Sequence, residues 1–289
     1  MKKLLMSAAL ALSCIPLAVG CSIANPEVLE KPASTINSIE QVTIDDLSFN
    51  MMIKAFYNSQ MKSISVNDED MKSLPHAGIG PEVDGEKTVA LMHPVISYSN
   101  LNGDTRYLVM IEKVKVDAEY GALSDCHACN VTADFYSFKR LPDGRYQLVS
   151  KTLPESNIAS SYGRARFDVD KFQAGLQPLG EGLIGSLYKT SGFIYGSSYE
   201  NWTALYLPED DYIRFHYVGD AGGYNDYGKD SPLDFMYKST YEVISDNSKY
   251  YPIKLRFKGN KPINGDPRRL RPVNHTVIKK FDPLEEEFK

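Results

Sequence analysis

Two cysteines three residues apart, in Cys126-His127-Ala128-Cys129, are the side chains of this 289-residue chain best placed to do chemistry. A pair at that spacing can close a small-ring disulfide, exchange disulfides with other thiols, or supply half of a zinc site. A structural zinc takes four ligands, and neither a second cysteine pair nor a spaced pair among the five histidines supplies the remainder. Covalent haem attachment requires histidine directly after the second cysteine, where this chain has Asn130. Thiol exchange requires a thiolate, and reactive pairs sit at helix N-termini, where the pKa is lowered. Here Asn130-Val131-Thr132-Ala133-Asp134-Phe135-Tyr136 follows, alternating like a strand. A structural disulfide between Cys126 and Cys129 is therefore the preferred reading, with thiol exchange as its principal rival. Closing so short a loop contributes only about 2 kcal/mol of chain entropy, so the bridge would serve mainly to fix a loop leading into a strand.

The segment Asp220-Ala221-Gly222-Gly223-Tyr224-Asn225-Asp226-Tyr227-Gly228-Lys229-Asp230 gathers oxygen ligands and flexible glycines. Calcium takes six to eight oxygens, so Asp220, Asn225, Asp226 and Asp230 form a candidate calcium set. The spacing departs from an EF-hand loop and Lys229 competes with an ion, which favours a plain glycine-rich turn. Signatures of serine hydrolases, P-loop and dinucleotide-binding enzymes and zinc peptidases are absent. The pairs Asp45-Asp46 and Asp210-Asp211 fall at a helix start and a turn, where acids serve structure. His216 alternates with Phe215 and reads as a solvent-facing strand residue.

These residues depend on a framework that reads as mainly β. The chain has 19 tyrosines and 12 phenylalanines, many in alternating runs, as in half-buried strands. Thr43-Ile44-Asp45-Asp46 reads as a helix start, with helical spacing to Tyr57, and a weaker helix is expected over 68–74. Strands are expected over 107–116, 134–139, 146–151, 202–207, 212–218, 239–244 and 253–257. Leu141-Pro142-Asp143-Gly144 and Ser245-Asp246-Asn247-Ser248 are the expected hairpin turns. Glycine-rich 175–196 reads as loops with short strands. Segments 107–152 and 212–258 share the order strand, loop, strand, turn, strand, which suggests two related β-meander halves.

The predicted organisation is a helical lead-in over 39–86, an antiparallel β domain over 87–260, and a proline-rich tail over 261–289 packed on or near it. Arg268, Arg269 and Arg271 cluster in that tail, able to pair with phosphates or simply to be solvated.

Lys2 and Lys3, an apolar run over 4–19 and small residues before Cys21 form the pattern of a secretory signal peptide. Ala18-Val19-Gly20-Cys21 resembles the lipobox of bacterial lipoproteins, although the leucine usual three places before the cysteine is Ala18 here. That resemblance implies cleavage after residue 20 and lipidation of Cys21, with 21–38 as a flexible tether. It leaves 269 residues and, with two lysines gone, a formal charge of −7. Lipidation also removes the odd thiol among Cys21, Cys126 and Cys129, a liability in an oxidising compartment. Ser22 stands where inner-membrane retention would favour Asp. An acidic, exported chain is not expected to bind nucleic acid.

The Cys126-His127-Ala128-Cys129 motif, Gln177-Pro178-Leu179-Gly180-Glu181-Gly182 and the 241–257 hairpin resemble an uncharacterised family of proteobacterial exported proteins. Relatives there carry extra cysteines in the loop equivalent to 219–231, which this chain lacks. The resemblance implies location and fold, with no activity to transfer. The expectation is a non-catalytic envelope lipoprotein, on the outer membrane and facing the periplasm, that binds an envelope protein or glycan. A soluble periplasmic protein is the alternative location. No cofactor is expected beyond the lipid, with calcium as a minor alternative.

Overall fold

The computed structural model describes residues 42–123, 131–154, 156–158, 163–165, 167–194, 196–225, 231 and 233–289. The chain enters through β1 (Thr43–Ile44), which pairs with the strand at Tyr146 and Gln147. Residues 43–44 are thus extended where a helix start was expected. The helix begins later, at α1 (Phe49–Tyr57), where Ser48 Oγ accepts from the Met51 amide at 3.4 Å. A capping oxygen for an otherwise unpaired amide sets that boundary, and Met52, Ile53 and Tyr57 are its buried face. After β2 (Met61–Lys62), Asp68 caps the one-turn α2 (Glu69–Lys72), within the expected range. The lead-in is not wholly helical, because β3 (His76–Val83) lies inside it.

Then come β4 (Glu86–Met92), β5 (Ile96–Ser99), β6 (Thr105–Asp117), β7 (Val131–Arg140), β8 (Tyr146–Thr152) and β9 (Asn157–Ile158). A short helix with too few residues to show a period in the sequence, α3 (Val169–Ala174), buries Phe172. The second half holds β10 (Gln177–Gly180), β11 (Leu183–Ile194), β12 (Ser197–Leu207), β13 (Tyr212–Asn225), β14 (Met236–Val243), β15 (Ile253–Ile263) and β16 (Asp266–Lys279). The small pair β17 (Phe281–Asp282) and β18 (Glu287–Phe288) ends the chain.

The fold is mainly β, as expected: sixteen strands form one large, mostly antiparallel sheet whose main path runs β10-β11-β12-β13-β8-β7-β6-β4-β3-β2. Its two halves follow one another in sequence and join through the parallel pairing of β13 with β8, at Tyr212 opposite Lys151 and Ile213 opposite Thr152. Both expected meanders exist, as β6-β7-β8 and β13-β14-β15, although β13 and β14 pair over only Gly222–Tyr224.

Strand β6 is covered on both faces. Leu108 and Met110 point into a core with Phe135, Phe167 and Phe172. Val109 and Ile111 point the other way, beneath α1 with Tyr136 and Phe138. A third core in the second half contains Tyr206, Leu255 and Phe257.

Two expectations are corrected. The glycine-rich stretch forms the twelve-residue β11 rather than mainly loops. Its Gly185 lies where a Cβ would meet the Leu205 carbonyl oxygen at 2.2 Å, so glycine there permits close strand approach. Gly185→Ala is expected to cost about 1–3 kcal/mol through overpacking. A melting temperature unchanged from wild type would count against that account.

The proline-rich segment expected as a tail over 261–289 packed on or near the domain is instead built into the sheet, most of it as the long hairpin β15-β16. Asn264 (φ 54°) and Gly265 (φ 78°) supply the two left-handed residues of a tight hairpin turn. Pro267 and Pro272 are accommodated because β16 pairs only with β15, leaving an edge where no ladder donor is needed.

Candidate functional site

Along β6 the face that carries Val109 and Ile111 continues as Lys113 and Lys115. Helix α1 covers only the apolar part, and beyond it the sheet is hollow. This cavity of about 470 Å³ is lined by Lys113 and Lys115 of β6, Thr132, Asp134 and Tyr136 of β7, Lys151 and Thr152 of β8, and Tyr57 of α1. Register explains the convergence: Thr88 lies opposite Lys115, Lys113 opposite Thr132, and Tyr136 opposite Lys151. Lys151 sits at the seam where β8 meets β13.

At its floor Asp134 accepts from the Tyr57 hydroxyl at 2.5 Å and from Lys113 Nζ at 3.1 Å. Tyr136 in turn donates to the Tyr57 oxygen at 3.1 Å. Burial above all, reinforced by Tyr136 and the Asp134 charge, pushes the Tyr57 hydroxyl far above its usual pKa. The phenol therefore stays protonated and remains a donor. Phe56, packed on Tyr136 with ring centroids 4.2 Å apart, forms an apolar wall with Ile79 and Pro154.

The charge balance is uneven. Lys113 is paired with Asp134, whereas Lys115 and Lys151 have no carboxylate within 4.0 Å among the described residues. A neighbouring hollow of about 240 Å³ shares Ile79, Gly80 and Thr88 and adds Lys62 and the ion pair of Lys87 with Glu82 at 3.7 Å. The unpaired ammonium groups of Lys115 and Lys151 beside one partly enclosed space favour an anion between them.

The opposite face of β6 holds a second polar cluster of different character. Glu112 is fully buried and accepts from His93 Nε2 at 2.8 Å, Arg164 Nε at 3.0 Å, Arg164 Nη2 at 3.2 Å and the Ala165 amide at 2.7 Å. Burial alone would raise its pKa. Hydrogen bonds from His93, Arg164 and Ala165, with the Arg164 charge, outweigh burial and hold it down to about 2. Four donors occupy this carboxylate, so it is a strut tying separate loops to β6 rather than a reactive group.

Cys21, Cys126, Cys129, Asp226 and Asp230 lie outside the described residues. What the structure does place is β7, which starts at Val131, so a strand follows the cysteine motif as the alternation indicated. Asp220 and Asn225 lie in β13 rather than in a loop. Asp220 pairs with Lys261 and accepts from the Tyr217 hydroxyl at 3.2 Å. Asn225 is engaged by the Phe235 amide at 2.8 Å and the Leu233 carbonyl at 2.9 Å. Among the described residues no group of three His, Cys, Asp or Glu side chains is arranged to hold a metal.

His216 faces inward, contrary to expectation. It packs against Tyr206, Tyr250 and Phe281, with ring centroids at 5.7, 5.4 and 4.7 Å. The closing pair β17-β18 covers a face that strand alternation alone had left open.

The lysine cavity went unnoticed in sequence because its signal is split. Lys113 and Lys115 alternate in one strand and Thr132, Asp134 and Tyr136 in another, and only pairing of the two makes a site. No family model matches the chain, and no curated protein or solved structure matches it.

Proposed function

We propose that this chain is a non-catalytic cell-envelope lipoprotein whose β body binds a small anionic ligand, a phosphate or carboxylate, in the lysine-lined cavity. The observation that carries this reading is that, among the described residues, Lys115 and Lys151 are uncompensated around a space with a single paired acid. Tyr57 and Tyr136 add hydroxyls, and Phe56, Ile79 and Pro154 offer contact to an apolar part of the ligand. Among the described residues the cavity has no free carboxylate: Asp134 is held by two donors and Tyr57 stays protonated, which supports binding rather than turnover.

The envelope assignment rests on Ala18-Val19-Gly20-Cys21 and the apolar leader, with Cys21 as the lipid site and an outer-membrane, periplasm-facing location. A structural Cys126–Cys129 bridge is supported by β7, since a strand offers no helix dipole to activate a thiol. Among the described residues no helix is long and apolar enough to cross a membrane.

Calorimetric titration with inorganic pyrophosphate and with citrate tests the ligand class. Lys115→Ala/Lys151→Ala is expected to weaken binding of the responsive anion by at least about tenfold per charge–charge hydrogen bond lost, with little change in melting temperature. No heat with either anion in the wild type would refute the anion reading. Alkylation trapping in cells, followed by mass measurement of the mature chain, tests the anchor separately. An acylated Cys21 with an oxidised, reductant-resistant Cys126–Cys129 pair is expected, and an unacylated mass would remove the anchor.

A further inference from the structure

Charge is distributed very unevenly along this chain. Residues 253–280 contain nine basic side chains against one acid, Asp266, a local charge of +8 in a chain whose formal net charge is −5, leaving −13 on the remainder. These residues are the β15-β16 hairpin and Lys280, and β16 alone is 14 residues long, a span of about 45 Å.

Part of this charge is neutralised. Lys254 and Arg256 share Glu242, Lys261 pairs with Asp220, and Arg268 with Asp266. Lys258, Arg269, Arg271, Lys279 and Lys280 have no carboxylate within 4.0 Å among the described residues. Lys258, Arg269 and Arg271 are exposed, whereas Leu270 between the two arginines turns away to pack on the core of the second half.

Edge strands are often charged to discourage pairing with other chains, and prolines do the same. That accounts for Pro267, Pro272 and some of the lysines, but either sign of charge would serve. It does not account for nine cations with one acid on a chain that is otherwise strongly acidic.

From this polarity we infer that the β15-β16 hairpin docks on an anionic, phosphate-bearing lipid surface. The unpaired cations lie on both faces of the hairpin, Lys258 on one and Arg269 and Arg271 on the other, and a charged ribbon of this length fits a plane of phosphates better than it fits one small anion. Lysine and arginine near such a surface are each worth roughly a fivefold gain in binding. The acidic remainder is repelled by the same surface, so the chain would approach hairpin first. The arginines can take phosphate oxygens in bidentate fashion. This inference is independent of the cavity ligand and does not require the Cys21 anchor.

The test is co-sedimentation of the full chain with phosphatidylcholine vesicles and with vesicles that also contain phosphatidylglycerol. A lipid or leader anchor acts on both, so the ratio between them reports the hairpin alone. Failure of the anchor would show instead as weak binding to the neutral vesicles. A preference for the anionic vesicles that declines with salt is expected. Lys258→Ala/Arg269→Ala/Arg271→Ala should reduce the preference on the order of 10- to 100-fold without lowering the melting temperature. Arg269→Lys/Arg271→Lys should largely retain it. Equal binding to both vesicle types, or an alanine variant with undiminished preference, would overturn the inference and point to an acidic protein partner instead.

Discussion

Glu112→Ala is expected to cost about 3–5 kcal/mol, the usual result of removing one partner from a buried ion pair. The residue is fully buried, and its loss would strand the Arg164 guanidinium, whose side chain is only 12% exposed. Three attachments to β6 would go together: His93, Arg164 and the Ala165 amide. Glu112→Gln keeps the shape and one acceptor oxygen, so a smaller loss is expected. Chemical denaturation of the three proteins at neutral pH measures the series. An alanine variant within 1 kcal/mol of wild type would show that the cluster is not the strut described above.

The same carboxylate sets an acid limb. Its folded pKa lies below the unfolded value, so its contribution is fully present above pH ~4.5 and is lost as pH falls toward 2. A depression from 4.5 to about 2 corresponds to about 3 kcal/mol across that window. His216 acts at higher pH. Burial first, and then the Arg214 charge, lower its pKa, so the folded state favours the neutral ring and a penalty begins as pH falls below ~6.5. Stability should therefore decline gently below neutrality and steeply below pH ~4.5. Glu112→Gln should remove the steep part alone.

Legibility in the sequence followed the length scale of each signal. Strands such as β6 and β7 were readable because β-branched and aromatic residues recur within a few positions, and Leu141-Pro142-Asp143-Gly144 marked its hairpin through local turn chemistry. The β15-β16 hairpin was missed although Asn264-Gly265 is itself a strong turn signal. Its prolines argue locally against a strand, yet they are harmless on an edge, and which strand is an edge follows only from the strand order. His216 was misplaced because β17 and β18, two residues each, leave almost no periodic trace yet bring Phe281 onto its ring. The cavity needed still more: the register of β6 against β7, and the length of α1, whose apolar cover ends before Lys113 and Lys115.

That stopping point gives the sharpest test of the cavity, because one substitution should change stability and binding in opposite directions. In Asp134→Asn the Tyr57 hydroxyl can still donate to the side-chain oxygen, but Lys113 loses its only carboxylate partner among the described residues. With the Lys113 and Asp134 side chains each 12% exposed, the unliganded protein is expected to lose about 1–3 kcal/mol. Three uncompensated lysines would then face the cavity, so affinity for the anion should rise about tenfold, equivalent to about 1.4 kcal/mol. Because ligand binds only the folded state, saturating anion should restore much of the lost stability and raise the variant's melting temperature more than the wild type's. A site built for a cation or a neutral hydrogen-bonding ligand predicts the reverse, since such a ligand would use Asp134 directly. Weaker anion binding by Asp134→Asn, or thermal rescue no larger than in wild type, would therefore remove the anion assignment while leaving the fold and the Glu112 strut untouched.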